Sequence, residues 1–191
     1  VTDFLRPIRT TTLADTWGRV QRHEFELKRR DGTWQHQIRE TYDRGDGAAV
    51  LLCVPAEGAV ILTRQFRYPA FYRGEPPFLV EACAGKLEGD DPETCARREA
   101  AEETGYAIGR LDKAYDCFTS PGSVTERLTL FIGIVAGPPA GPGGGLTAEG
   151  EDIEVLRLPF AEALSMVRTG EIADAKTILL LQYAQLSGVF G

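Results

Sequence analysis

The sequence predicts an α+β protein. Many short apolar segments bounded by turn residues read as strands, and only three segments read as helices, so a mixed sheet packed by a few helices is expected. The first 45 residues read as a short helical or irregular start followed by two strands. In "WGRVQRHEFELKRR", Val20, Phe25 and Leu27 stand among polar residues; Asp31-Gly32 supplies a hairpin turn, and "WQHQIRETYD" returns. "DRGDG" (43–47) then leads into a main domain, dividing the chain into residues 1–45, a small antiparallel β subdomain, and residues 46–191.

In the main part, "AAVLLCVP" and "VILTRQFRY" are continuous apolar strands joined by "AEG", and "PFLVEACAG" is a further strand. A helix is predicted over Pro92–Thr104: Asp91 can cap it, Pro92 suits its first position, and Gly105 suits its end. "LDKAYDCFTS" and "RLTLFIGIVAG" are strands separated by "SPGS". The Gly/Pro-rich "PPAGPGGGLTAEGED" is a long loop of the kind that often carries function. "IEVLRLP" is the last strand, and "PFAEALSMVRTG" and "ADAKTILLLQYAQL" are amphipathic helices.

Composition narrows the function. The chain has 191 residues, a hydrophobic fraction of 43% and a formal charge of -7. A core of ordinary size is expected, and the acidic balance argues against nonspecific nucleic-acid binding. No run of about 18 apolar residues suggests a membrane span, and "VTDFLRPIRT" lacks the apolar centre of a secretory signal, so a cytoplasmic location is expected. Cys53, Cys83, Cys95 and Cys117 are widely spaced and read as buried reduced thiols.

The segment 84–106 holds seven acidic and three basic residues. Glu99, Glu102 and Glu103 lie at i, i+3 and i+4 of the predicted helix and share one face. A solvated acidic face is one explanation. Cys95 and Ala96, one turn earlier on the same stripe, point to the other, in which the face enters the interior. Buried carboxylates then need a compensating cation, and a hard divalent ion such as Mg²⁺ or Mn²⁺ fits them best. Arg98 can hold Glu102 by an i, i+4 pair.

These residues resemble a known pattern. Gly85 followed by "RREAAEETGY" is similar to the Nudix box, with Arg98, Glu99, Glu102, Glu103 and Gly105 at its core positions. Ala100 is smaller than the usual apolar residue, and one residue is missing between Gly85 and the first acidic position, placed at Asp90. With "RETYDRGDGAAVLL", "TRQFRYPA", "EACAGKL", "SPGSVTE", "EGEDIEVLRLPF" and "TGEIADAKTILLLQY", nearly the whole chain resembles the bacterial GDP-mannose pyrophosphatase group of Nudix hydrolases; the ADP-ribose pyrophosphatases are related.

The resemblance implies a Nudix fold, a mixed sheet between helices, and a homodimer with exchanged N-terminal sheets. It implies hydrolysis of a nucleoside diphosphate sugar, with GDP-mannose giving GMP and mannose 1-phosphate. Glu99 and Glu103 become metal ligands, joined by the backbone carbonyl of Ala84, by Glu151 and by Glu102 as a further or supporting ligand. Arg67, Glu126 and Lys176 align with substrate-contact positions, and Ile38, Arg39 and Glu40 with nucleotide contacts across the dimer. Trp17 can stack on a base or serve as a core or interface residue. Either Glu149 or Glu151 can supply a general base from the loop, whose glycines permit it to close over the pyrophosphate. His23 and His36 read as strand-surface residues. ADP-ribose hydrolysis is the competing activity, and a noncatalytic nucleotide sensor the competing class.

Overall fold

The computed structural model describes residues 2–191, which fall into two compact units. The first runs to Asp46 and includes Phe118–Arg127. Strands β1 (Leu5–Asp15), β2 (Arg19–Lys28) and β3 (Trp34–Asp43) form an antiparallel sheet in the order β1-β2-β3. The second segment of the unit is stitched to β3, with the Tyr42 N–H on Ser123 O at 2.7 Å and the Thr125 N–H on Tyr42 O at 3.0 Å.

The expected helical or irregular start is instead the eleven-residue strand β1. All but its first residue are exposed, so it shows no alternation of apolar and polar residues. Its strand character comes from the β-branched Thr10, Thr11 and Thr12, and Pro7, which has no N–H to donate, sits on an edge strand where the register shifts.

The second unit comprises Gly47–Cys117 and Leu128–Gly191. Its strands are β4 (Gly47–Val54), β5 (Ala59–Phe66), β6 (Phe78–Glu81), β7 (Cys83–Lys86), β8 (Ile108–Phe118), β9 (Arg127–Val135) and β10 (Glu154–Pro159). The main path is β10-β5-β4-β9-β8, with β6 on β5 and β7 on β4. The β4–β9 pair is parallel, whereas β4 pairs antiparallel with β5 and β7, giving a mixed sheet. Helices are α1 (Tyr68–Tyr72), α2 (Pro92–Thr104), α3 (Phe160–Thr169) and α4 (Ala175–Leu186).

Two sequence readings of strands are revised. "VILTRQFRY" leaves the sheet at Phe66, because Pro69 opens the short helix α1. "PFLVEACAG" is two strands, since β6 pairs with β5 and β7 with β4.

β4 shows why a continuous apolar run is needed. Strand side chains alternate between faces, and both faces of β4 are covered. Ala49, Leu51 and Cys53 join Leu180, Leu181 and Ala184 of α4 and Ala163 of α3 in one core. Ala48, Val50 and Leu52 join Cys95, Ala96 and Ala100 of α2 in the other. The sheet is therefore sandwiched between helices, and α2 is pressed onto it through small residues. No helix among the described residues is long and apolar enough to cross a membrane.

Candidate active site

α2 forms where the sequence places it. The Asp91 carboxylate accepts the Glu93 and Thr94 N–H groups at 3.0 and 3.1 Å, Pro92 follows, and Gly105 ends the helix at φ 74°. Seating Cys95, Ala96 and Ala100 against the sheet turns the 99/103 stripe inward as well. Glu99 is 9% exposed and Glu103 1%.

Glu99 lies directly over β7. A Cβ built on Gly85 would sit 1.8 Å from Glu99 Oε1, so the carboxylate occupies space that only glycine leaves open. Burial pushes the Glu99 carboxyl up to about 7, with Arg98 opposing and Glu102 and Glu151 adding to the rise. Burial likewise pushes Glu103 up to about 8, helped by Glu99 and Glu151. Glu103 Oε2 is buried and has no hydrogen-bond partner.

Arg98 organises the outer rim of this face. Its Nη1 is 2.9 Å from Glu99 Oε1 and 3.0 Å from Glu102 Oε2, its Nε is 3.4 Å from Asp90 Oδ2, and its Nη2 donates to Lys86 O at 3.3 Å. The expected i, i+4 pair with Glu102 is therefore present, and Asp90 joins it.

The Gly-rich loop docks on the end of α2. Gly144 and Gly145 donate N–H bonds to the carbonyls of Glu103 and Glu102 at 2.8 and 3.1 Å, and Ala140 donates to Gly105 O at 2.8 Å. These carbonyls have no partner within the helix, so the loop satisfies them. The loop also carries Glu151, whose Oε2 accepts the Leu146 N–H at 2.9 Å. Its charge bears on both Glu99 and Glu103. Glu149, at the end of a short 3-10 turn (Thr147–Glu149), is exposed.

A second charged group adjoins the acidic face. Arg67 donates from Nε and Nη2 to the two oxygens of Glu81 at 2.7 and 3.0 Å. Lys176 Nζ is 2.5 Å from Glu81 Oε2 and 3.0 Å from Asp174. Burial raises the Glu81 carboxyl, but Arg67 and Lys176 outweigh it and hold the group below its ordinary range. Lys176 stays above its ordinary range against burial, through Glu81 and Asp174. The Arg67 charge also reaches Glu103. The sequence reading includes Arg67 and Lys176 but misses Glu81 and Asp174. In "LVEACAG" nothing marks Glu81 as the carboxylate that ties them together.

Apart from Ala84, the other predicted residues are on the first unit. Trp17 is 80% exposed, Ile38, Arg39 and Glu40 lie exposed on β3, and Glu126 Oε1 is 3.4 Å from Arg44 Nε. Ala84 is on β7 between Cys83 and Gly85, opposite Ala49.

The acidic face suits a divalent cation. Its donors are carboxylate oxygens, burial pushes two of the carboxyls above their ordinary range, and one oxygen is buried without a partner. Among the described residues, no three acidic, histidine or cysteine side chains already close into a cage around one point. Metal uptake would therefore draw the carboxylates together and displace protons from them.

This arrangement, a glutamate-rich helix tucked beneath a mixed sheet and met by an acidic loop, is suited to metal-assisted hydrolysis. Residues 43–181 match the family model for the NUDIX domain, and residues 5–42 match that for the GDP-mannose pyrophosphatase NudK N-terminal domain. The chain belongs to the Nudix hydrolase family, whose members generally use divalent metal ions. A GDP-mannose pyrophosphatase of Pectobacterium atrosepticum is 51% identical over 179 residues, 93% of this chain and 92% of the relative. One from Cronobacter sakazakii is 47% identical over 184 residues (95% of each), and one from Shigella flexneri serotype 5b is 44% identical over 189 residues (98% of each). The solved structure of an ADP compounds hydrolase superposes with a TM-score of 0.75 at 16% identity, covering 98% of this chain and 95% of that one, a likeness of fold.

Proposed function

We propose that this chain hydrolyses the pyrophosphate of a nucleoside diphosphate sugar, with GDP-mannose as substrate and GMP and mannose 1-phosphate as products. The observation that carries the chemistry is the buried acidic face of α2, with its unpartnered Glu103 oxygen. The substrate follows from the relatives named GDP-mannose pyrophosphatase and from the matching N-terminal segment.

Glu99, Glu103 and Glu151 would hold Mg²⁺, or Mn²⁺ in its place, with the Ala84 carbonyl and Glu102 as further donors. Such an ion would supply charge neutralisation at the pyrophosphate and a water made more acidic. Arg98 keeps Glu99 and Glu102 in place. Arg67 and Lys176 orient the phosphates, and a planar guanidinium suits phosphate oxygens. Glu151, already beside the acidic face, or Glu149, further along the loop, accepts the proton of the attacking water. Trp17, Ile38, Arg39, Glu40 and Glu126 contact the nucleotide and sugar, the N-terminal residues reaching the site of the partner in a homodimer with exchanged sheets. Four cysteines without a disulfide are in keeping with work in the cytoplasm.

The test is a panel of GDP-mannose, ADP-ribose, UDP-glucose and ADP-glucose with Mg²⁺, the products being separated by chromatography. The expected outcome is the highest kcat/KM on GDP-mannose, with GMP and mannose 1-phosphate in equal amounts. Preference for ADP-ribose would reassign the substrate. Binding without turnover of any member would make the chain a nucleotide sensor.

A further inference from the structure

We propose that Glu81 is a positioning residue, whose one buried carboxylate fixes Arg67 and Lys176 side by side as a preset pair of cations for the substrate pyrophosphate. The inference rests on the hydrolase reading above and adds to it a residue that touches neither metal nor substrate.

Each of the three groups is held by its own element. The backbone of Arg67 is locked at the mouth of α1: its N–H bonds to Pro77 O at 2.7 Å, and its carbonyl accepts from Ala70 and Phe71 at 3.1 and 3.2 Å. Glu81 ends β6, and its carbonyl accepts the Thr63 hydroxyl at 3.2 Å. Lys176 lies in the first turn of α4. Asp174 caps that helix through the Thr177 N–H at 3.0 Å, and Thr177 Oγ1 in turn accepts the Ala82 N–H at 2.7 Å. The start of α4 is thereby tied to the residue that follows Glu81.

Two features argue for more than a structural ion pair. A lysine in the first turn opposes the positive end of the helix dipole, a local cost that packing does not require. Removing four charged groups from water seldom adds stability, because desolvation offsets attraction. Yet the arrangement spends both Glu81 oxygens on cations, and the Arg67 side chain remains 39% exposed, with its charge acting on Glu103. Long cationic side chains lose rotamer freedom when they grip an anion, and a carboxylate that orders both beforehand removes that loss from binding.

The experiment compares Glu81→Gln, Lys176→Met and the double variant with the parent protein, all with Mg²⁺. Inorganic pyrophosphate affinity is measured by calorimetry, and KM and kcat are measured on GDP-mannose. Glu81→Gln is expected to raise the pyrophosphate Kd and the KM by about tenfold or more, with kcat falling less. Once Lys176→Met has removed one cation, the further change Glu81→Gln is expected to cost about threefold or less. Should Glu81→Gln not fold, Glu81→Asp keeps the charge on a shorter arm that reaches one cation, and an intermediate Kd is expected. A Kd within about twofold of the parent for the variant that folds would overturn the proposal. So would an equal factor in both backgrounds, the mark of a structural role, or a parent that does not bind pyrophosphate. A parent that binds pyrophosphate but cleaves no nucleoside diphosphate sugar would instead refute the hydrolase reading, and the Kd comparison would still decide the role of Glu81.

Discussion

Glu103 Oε2 is buried without a partner, while burial pushes the two inward glutamates, Glu99 and Glu103, up to about 7 and 8. Without metal, both carboxyls have higher values folded than the 4.5 of an ordinary glutamate. The folded state therefore binds more protons than the unfolded one between pH 4.5 and 8. Their contribution is fully present below the unfolded value and is lost as pH rises through the folded values. The metal-free protein is expected to lose thermal stability from about pH 5 to about pH 8 from this source, and Mg²⁺ to restore it by taking the place of the protons. Scanning calorimetry with EDTA or Mg²⁺ checks this: the Tm gain from Mg²⁺ should grow with pH. A gain independent of pH would remove these two residues from the metal site.

The elements that carry the site differ in how far the sequence reveals them. α2 is legible because its signals are local: Asp91 caps it, Pro92 starts it, Gly105 stops it, and the 99/102/103 spacing marks one face. The inward turn of that face is legible from Cys95 and Ala96. β1 is not, since its exposed residues give no alternation. Glu81 is also hidden, because its meaning lies in contacts to Arg67 and Lys176, 14 and 95 positions away, while Asp174, which contacts its near neighbours Lys176 and Thr177, reads as an ordinary helix cap. The docking of the glycine run is likewise a three-dimensional fact. A Cβ on Gly143, which has φ +65°, would sit 2.6 Å from the Thr104 carbonyl carbon. Gly143→Ala is therefore expected to lift the loop from the helix end and carry Glu151 with it. The expected loss in kcat is about tenfold or more, with the circular dichroism of the fold unchanged; full activity would show that the docked loop is dispensable.

At the scale of the molecule, the N-terminal sheet is the part least able to stand alone. No residue of its three strands is fully buried, and Phe4, Ile8, Leu13 and Trp17 are each at least 50% exposed. Three strands without a packed face are marginal in water. An interface that covers them is expected, and sedimentation at micromolar concentration should give twice the 20.9 kDa chain mass. A monomer with full activity would refute both the dimer and the sharing of residues between subunits. The second unit differs in having two apolar cores on either side of β4, and it holds the acidic face and the Arg67–Glu81–Lys176 group by itself.

If the inward acidic face of α2 turns the substrate over, Glu103→Gln is the substitution that reads it most directly. Glutamine keeps the shape and can remain neutral in a site where the carboxyl is pushed up to about 8, so the fold should persist and the metal-free Tm should not fall. The measurement is kcat on GDP-mannose at saturating Mg²⁺. The expected result is a fall of at least about a hundredfold with an intact fold. A kcat near that of the parent protein would contradict the account.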